Sequence, residues 1–162
     1  MKRVLFLSLL SIIFTLQSFA QGNPNKLGCK DKDLLVQASE QKVSLKAQGF
    51  NIENGAMLRM KSREEFPVLI HLEAGVFYHF LFLGNTRAKK MQLQIIDPNQ
   101  KFIIEKKQLP HKNSSNTISF SFTPAQSGTY SILLFQNMKQ ELFTFKDAPE
   151  VCGSFTIFKL KK

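Results

Sequence analysis

Alternation of apolar and polar residues constrains the fold of this chain more than any other feature. Between Thr117 and Thr123, Ile and Phe alternate with Ser, and Met91, Leu93 and Ile95 alternate with glutamines in the same way. Strict period two is typical of a β-strand with one buried and one exposed face. Further strand-like runs, most of them separated by turn-forming residues, are Ala56–Lys61, Pro67–Glu73, Val76–Leu83, Lys101–Lys106, Thr129–Gln136 and Ser154–Leu160. About eight short strands without alternating helices predict a mainly all-β fold, an antiparallel β-sandwich or jelly roll over 55–162.

One segment has a different character. Residues 31–48 contain neither Gly nor Pro. Near-helical spacing connects Leu34, Leu35, Ala38, Lys42 and Leu45. Negative charge at Asp31 and Asp33 favours a helix start, and Gly49 favours a stop. Because the apolar stripe is thin, we expect an N-terminal helix over 31–48 that covers an open face or an edge of the sandwich.

The first twenty residues predict export. A basic start at Met1–Arg3 precedes an almost unbroken apolar run, Val4–Leu16, and small residues at Ser18 and Ala20 occupy the positions that a signal peptidase reads. The apolar run is shorter than the roughly 20 residues that span a bilayer. We therefore predict a signal peptide over 1–20, a flexible tail over 21–30 and a single domain over 31–162. The mature protein would be periplasmic or extracellular, with no transmembrane segment.

Two cysteines, Cys29 and Cys152, lie near opposite ends of the exported chain. In an oxidising compartment such a pair predicts a disulfide that ties the two ends together. A redox pair or a pair of metal ligands is the alternative. Neither cysteine belongs to a C-x-x-C motif, however, and no histidine is close to either in sequence. The pattern therefore favours a structural disulfide.

Positive charge is the candidate functional feature. The chain has 22 Lys and Arg against 12 Asp and Glu, a formal net charge of +10. The basic residues gather in three predicted connections, which share one end of the sandwich if successive strands run up and down. The candidate binding residues are Arg87, Lys89, Lys90, Lys106, Lys107, Lys112 and Lys139, with His111 and Lys146 beside them. Such an end would attract anionic polysaccharides or lipid head groups. The alternative is ordinary solvated lysine in loops.

The other end of the sandwich would carry three turns without Lys or Arg: Glu73–Gly75, Asp97–Asn99 and Pro124–Gly128. Stacking of neutral glycans is disfavoured, because the chain has no Trp and Tyr78 and Tyr130 are expected to pack inside. Nucleic acid is not expected as a partner in an exported protein whose basic residues are not interleaved with aromatic ones.

The sequence contains little that suggests catalysis. It has no G-x-S-x-G motif and no Gly-rich phosphate loop. His71 and His79 flank a predicted hairpin around Gly75, and a metal site or acid–base pair would need both on one face with a third ligand. We therefore expect a non-enzymatic protein without a cofactor. A small hydrolase or metal protein around His71 and His79 is the alternative.

Three segments, Leu72–Tyr78, Ile95–Gln100 and Phe122–Ile132, carry a family resemblance. The first fits an L-x-x-G-x-x-Y hairpin, the second a strand followed by a turn, and the third a closing F-x-P…S-G-x-Y hairpin. In this order, over about residues 66–136, they resemble the bacterial pre-peptidase C-terminal domain. The resemblance implies a β-sandwich, life outside the cytoplasm and an accessory or binding role. Asp97 has only Asn99 beside it, so a calcium site is not carried over.

Together these observations predict a non-enzymatic envelope or secreted binding protein that contacts anionic cell-surface material through its basic loops. The alternative is a structural or interaction module that pairs with another envelope protein.

Overall fold

A computed structural model describes residue 29 and residues 31–110, 115–138 and 148–161. The predicted leader and nearly all of the predicted tail lie outside these residues. The described chain forms one helix followed by eight strands. These are α1 (Lys32–Ala47), β1 (Phe50–Lys61), β2 (Glu65–Leu72), β3 (Tyr78–Leu83), β4 (Ala88–Ile96), β5 (Phe102–Gln108), β6 (Thr117–Phe122), β7 (Gly128–Met138) and β8 (Glu150–Leu160).

The strands form two four-stranded antiparallel sheets, which confirms the predicted fold class. The first sheet has the order β1-β8-β3-β6, and the second has the order β2-β7-β4-β5. The alternating apolar residues of both sheets meet between them. Phe80 and Phe82 from the first sheet and Leu93 and Ile132 from the second are each 0% exposed. The sandwich is therefore held together by the burial of apolar surface that the period-two pattern anticipated.

Strand β1 begins earlier than predicted. It pairs with β8 from Phe50 onward, and its register shifts between Ile52 and Asn54. Asn and Gly are poor strand formers, so the local sequence from Asn51 to Gly55 suggested no strand. The shift of register is a β-bulge, which lets pairing continue through this unfavourable stretch. The predicted boundary at residue 55 was therefore wrong.

Helix α1 lies on the outer face of the first sheet. The Asp31 side chain caps the helix by accepting a hydrogen bond from the Leu34 backbone N–H at 3.0 Å. Three buried residues of the helix, Leu34, Ala38 and Leu45, pack against Leu81, Leu83 and Phe158 of the sheet. Leu35 points away and is 44% exposed. The helix therefore covers a sheet face, as its thin apolar stripe predicted.

The predicted disulfide is present. Cys29, three residues before α1, is bonded to Cys152 in β8, and their Cα atoms are 5.6 Å apart. Cys152 also packs against the apolar cluster beneath the helix. The bond therefore fastens the start of α1 to the sheet that the helix covers.

Two of the three family-like segments connect the sheets and are not hairpins. β2 and β3 lie in different sheets, as do β6 and β7, whereas β4 and β5 are paired neighbours. A turn of this composition can close a hairpin or cross between layers, and a local pattern does not distinguish the two. The hairpin interpretation of Leu72–Tyr78 and Phe122–Ile132 was therefore wrong.

The three turns nevertheless share one end of the sandwich, as the charge analysis expected. The Gly75 N–H donates to the Pro124 carbonyl at 2.9 Å, and the Ala74 N–H donates to Ser127 Oγ at 2.8 Å. Both tyrosines are buried beside these turns. The Tyr130 hydroxyl donates to the Gln126 carbonyl at 2.8 Å, and the Tyr78 hydroxyl accepts from the Glu73 N–H.

Candidate functional site

The two sheets differ in what covers their outer faces. The helix covers much of the first sheet, whereas no described element packs on the outer face of the second. We call that surface the open face. Its outward residues on β4, β5 and β7 include Lys90, Gln92, Gln94, Glu105, Lys107, Leu133 and Phe135. Those on β2 are Glu65, Pro67, Leu69 and His71.

The strand pairing of β4 with β5 builds a polar network on the open face. In this register Gln92 is opposite Lys107, and Gln94 is opposite Glu105. Met91, Leu93 and Ile95 alternate with the glutamines and are 0% exposed. The buried residues therefore fix the orientation of β4, so both glutamines must point outward.

Glu105 is the centre of the network. Gln92 Nε2 donates to Glu105 Oε1 at 2.7 Å, and Gln94 Nε2 donates to the same oxygen at 3.0 Å. Lys107 Nζ pairs with the other carboxylate oxygen, Oε2. One exposed carboxylate thus holds two amides and one ammonium group.

The charge state of Glu105 follows from these contacts. The hydrogen bond from Lys107 and then that from Gln94 lower the pKa of the Glu105 carboxyl, and the positive charges of Lys107 and Lys90 lower it further. Burial opposes this shift more weakly. The carboxyl is therefore ionised at neutral pH and can only accept hydrogen bonds.

An aromatic ring lies beside the network. Phe135 of β7 is opposite Gln92, is half-buried, and has Lys90 Nζ 5.5 Å from its ring centroid. This is a cation–π distance. Lys90 and Lys107 therefore lie on either side of Gln92, on neighbouring strands of one uncovered surface.

The basic residues predicted as one binding end are distributed more widely. Four of them belong to strands and not to connections, since β4 already begins at Ala88 and β5 continues to Gln108. These four are Lys89, Lys90, Lys106 and Lys107. The loop assignment was therefore wrong, because pairing between neighbouring strands extends beyond the segments that the local pattern marked.

Of the predicted basic residues that the structure describes, Lys90 and Lys107 come together on the open face. Lys106 points to the other side of β5, with Nζ 5.6 Å from the Phe120 ring. Lys89 is exposed where the β4–β7 register shifts. Lys112 and Lys139, together with His111 and Lys146, lie outside the described residues.

Arg87 lies elsewhere, at a cavity of about 480 Å³ between the start of α1 and the β3–β4 connection. Asp31, Asp33 and Glu150 also line that cavity. Its carboxylates outnumber its single basic residue, so it does not extend the basic surface of the open face.

The two histidines of the alternative hydrolase or metal site are not brought together. His71 is exposed on the outer face of the second sheet, and His79 is on the outer face of the first. His79 Nδ1 and Nε2 lie 3.0 and 2.8 Å from the hydroxyls of Ser121 and Ser119. Burial lowers the pKa of His79. Within the described ranges no three His, Cys, Asp or Glu side chains cluster as metal ligands would.

Sequence reasoning missed the central residues of the open face. The alternation around Gln92 and Gln94 predicted a strand correctly, and it also implied that both side chains face outward. It could not show that Glu105 lies opposite Gln94, because that depends on the turn between β4 and β5 and on its register. Nothing in the sequence singled out Phe135, which is half-buried between the fully buried residues Leu134 and Gln136.

No protein-family model and no curated protein sequence matches the chain. Membership of the pre-peptidase C-terminal domain family therefore stays a prediction. Among solved structures, a CBM4 carbohydrate-binding module is similar with a TM-score of 0.38 and 12% identity, over 70% of this chain and 79% of that one.

Two further solved structures are similar to this chain over only a small part of their own length. An arabinose-bound α-L-arabinofuranosidase matches with a TM-score of 0.34 and 10% identity, over 65% of this chain and 19% of that one. An acetyl xylan esterase from the rumen bacterium Butyrivibrio proteoclasticus matches with a TM-score of 0.31 and 17% identity, over 69% and 28%. All three TM-scores are below 0.5, and none of these similarities indicates the function of this chain.

In the part of the chain that the structure describes, no helix combines the length and the apolar character that crossing a membrane requires.

Proposed function

We propose that this chain is an exported, non-enzymatic binding protein that holds anionic cell-surface material on its open face. The observation that carries the proposal is the position of Lys90 and Lys107 on either side of Gln92, on an uncovered sheet surface. Two ammonium groups on neighbouring strands attract anions and raise their local concentration. The disulfide supports a periplasmic or extracellular location, where such bonds form and persist.

The chemistry of the surrounding residues fits this role. Gln92 and Gln94 add hydrogen-bonding groups, and the half-buried ring of Phe135 adds an apolar contact surface. Glu105 reduces the local positive charge but also holds Lys107 on the surface. The open face thus combines charge, hydrogen bonding and apolar area, whereas solvated loop lysines offer charge alone.

Charge reversal at the open face tests the proposal. The double variant Lys90→Glu/Lys107→Glu is compared with the wild-type mature chain, with its disulfide formed, for binding to polygalacturonate and to lipopolysaccharide at low and high salt. We expect wild-type affinity to fall steeply with salt, since exposed charges are screened. The double variant should bind at least tenfold more weakly, because it replaces two positive charges at the site with two negative ones, a change of four units.

A matched control separates a site from net charge. Lys32 and Lys46 are exposed on α1, on the opposite side of the sandwich. The variant Lys32→Glu/Lys46→Glu changes the total charge equally and should keep most of the wild-type affinity. Equal loss in both double variants would mean that binding reflects only the charge of the whole protein.

A second candidate function is an interaction module that pairs with another envelope protein. It is favoured by Leu69 and Phe102, which are 53% and 52% exposed and lie on the two edge strands of the second sheet. Large apolar side chains exposed on an uncovered sheet can contribute to a protein contact surface. Capture of an envelope protein that Leu69→Ser/Phe102→Ser abolishes, with Lys90→Glu/Lys107→Glu without effect, would favour this function over the first.

A further inference from the structure

We infer that Glu105 is a positioning residue that makes the open face selective for an acidic polysaccharide over polyanions without hydroxyl groups. The inference rests on the proposed function and specifies the ligand of the same surface. Its basis is the geometry of three side chains, Glu105, Gln92 and Gln94.

The first step is the shared acceptor. Gln92 Nε2 and Gln94 Nε2 both donate to one oxygen of Glu105, at 2.7 and 3.0 Å. An ionised carboxylate has no hydrogen to donate, so neither glutamine can turn its carbonyl toward it. The charge on Glu105 therefore determines which way both amides face, a choice that an isolated surface amide would leave open.

Second, the amide oxygens of Gln92 and Gln94 are left for a ligand. With both NH₂ groups turned to Glu105, the Oε1 atoms of Gln92 and Gln94 point away from it. Neither oxygen has a hydrogen-bond partner among the described residues. The open face thus presents two oriented acceptors, one on Gln92 between Lys90 and Lys107 and one on Gln94, the next outward residue of β4.

The third step is the ligand that matches this pattern. The ammonium groups require negative charge, and the carbonyl oxygens require hydrogen-bond donors. A polysaccharide with carboxylate groups supplies both, since its hydroxyls can donate. A polymer that carries carboxylates alone satisfies the lysines but has no donor for the glutamine oxygens. The apolar face of Phe135 gives a sugar ring a further contact.

Glu105 also distinguishes this mechanism from simple charge attraction. It places a negative charge next to Lys107 on a surface that binds anions. If charge alone governed binding, removing that negative charge would strengthen the binding of every polyanion. If Glu105 orients the glutamines, its removal should weaken the polysaccharide specifically. The two mechanisms therefore predict changes of opposite sign.

The test uses the isosteric variant Glu105→Gln and two polymers that share carboxylate groups. Polygalacturonate bears hydroxyls, and polyacrylate does not. Calorimetric titration of the mature chain should show that Glu105→Gln weakens binding to polygalacturonate about two- to tenfold, the range expected for one lost hydrogen bond. The same variant should bind polyacrylate more tightly than the wild type does.

Two further variants serve as controls. Glu65 is exposed on β2 opposite Phe135, so Glu65→Gln makes the same charge change on the same face without touching the glutamines. Glu65→Gln should strengthen binding to both polymers. Gln92→Leu/Gln94→Leu leaves the charge unchanged. It should weaken binding to polygalacturonate, while the affinity for polyacrylate stays within twofold of the wild-type value.

The outcomes separate the two proposals. Tighter binding of both polymers by Glu105→Gln would overturn the positioning role and leave the open face as a charge-driven site. Wild-type protein that binds neither polymer would overturn the proposed function as well.

Discussion

Gln37 of α1 and Asn116, directly before β6, form a reciprocal amide pair. Gln37 Nε2 donates to Asn116 Oδ1 at 2.8 Å, and Asn116 Nδ2 donates to Gln37 Oε1 at 2.8 Å. Asn116 is 4% exposed, and its Nδ2 also donates to the Gly84 carbonyl at 2.7 Å. The pair therefore fastens the helix to the first sheet with polar contacts, in addition to its thin apolar stripe.

Truncating one partner of this pair should destabilise the fold. Gln37→Ala leaves the buried Asn116 side chain without two of its hydrogen bonds, and we expect the free energy of unfolding to fall by about 1–3 kcal/mol. Urea denaturation measures it. Gln41→Ala, an exposed position one turn further along α1, should change the stability by less than about 0.5 kcal/mol. Equal effects in the two variants would show that the amide pair contributes nothing.

Loss of the disulfide should have a larger effect. Cys29 and Cys152 are 123 residues apart in sequence, so the bond closes a long loop in the unfolded chain. Reduction should lower the free energy of unfolding by about 2–5 kcal/mol. Denaturation with and without reductant measures the change. The double variant Cys29→Ser/Cys152→Ser should match the reduced protein and show no response to reductant. An unchanged denaturation midpoint on reduction would contradict this expectation.

Gly128 should not tolerate a side chain. Its φ is +155°, and a Cβ built there would lie 2.5 Å from Pro98 Cγ. Gly128→Ala must displace the turn between β4 and β5, which we expect to cost about 1–3 kcal/mol. Thermal or urea denaturation checks it. Pro98→Ala removes the contacting Cγ atom, so Gly128→Ala should cost less in a Pro98→Ala background. Additive effects of the two substitutions would exclude this clash as the cause.

His79 should give the fold a pH dependence. Burial lowers its pKa below the ordinary value of 6.5, so the unfolded chain binds a proton more readily than the folded one. Stability is therefore complete above about pH 6.5 and decreases as the pH falls below it.

The variant His79→Gln measures this contribution. Between pH 7.5 and 5.5 the wild type should lose more stability than His79→Gln, by urea denaturation at each pH. His71→Gln removes an exposed histidine from the second sheet and should behave as the wild type does. If His79→Gln loses as much stability over this pH range as the wild type does, other groups cause the pH dependence.

Strands that bury only one face could be predicted from sequence, because a single buried face gives a period-two pattern of apolar residues. Met91, Leu93 and Ile95 show this most clearly, since all three are fully buried as their alternation predicted. The helix was predictable for a similar reason, although Leu35 in the proposed stripe is exposed. A stripe at helical spacing limits the orientation of a helix only approximately when few of its residues are large and apolar.

The pairing of strands was not predictable in the same way. The turn around Gly75 has the composition of a hairpin, yet β2 pairs with β7 and β3 pairs with β8 and β6. Which sheet a strand joins depends on contacts between residues far apart in the chain. Glu105 meets Gln92 and Gln94 across the neighbouring strands β4 and β5, and that register depends on the turn between them, so the centre of the open face could not be predicted either.

Helix α1 covers one side of the sandwich only. The outer faces of the two sheets therefore differ in the substitutions that they tolerate. Substitutions under the helix, at Leu81 or Phe158, disturb packing and are limited by folding. Substitutions at Gln92 or Lys107 alter a surface on which no described element packs. The two sides can therefore diversify at different rates, so that related chains could keep one scaffold while the chemistry of their exposed sheet changes.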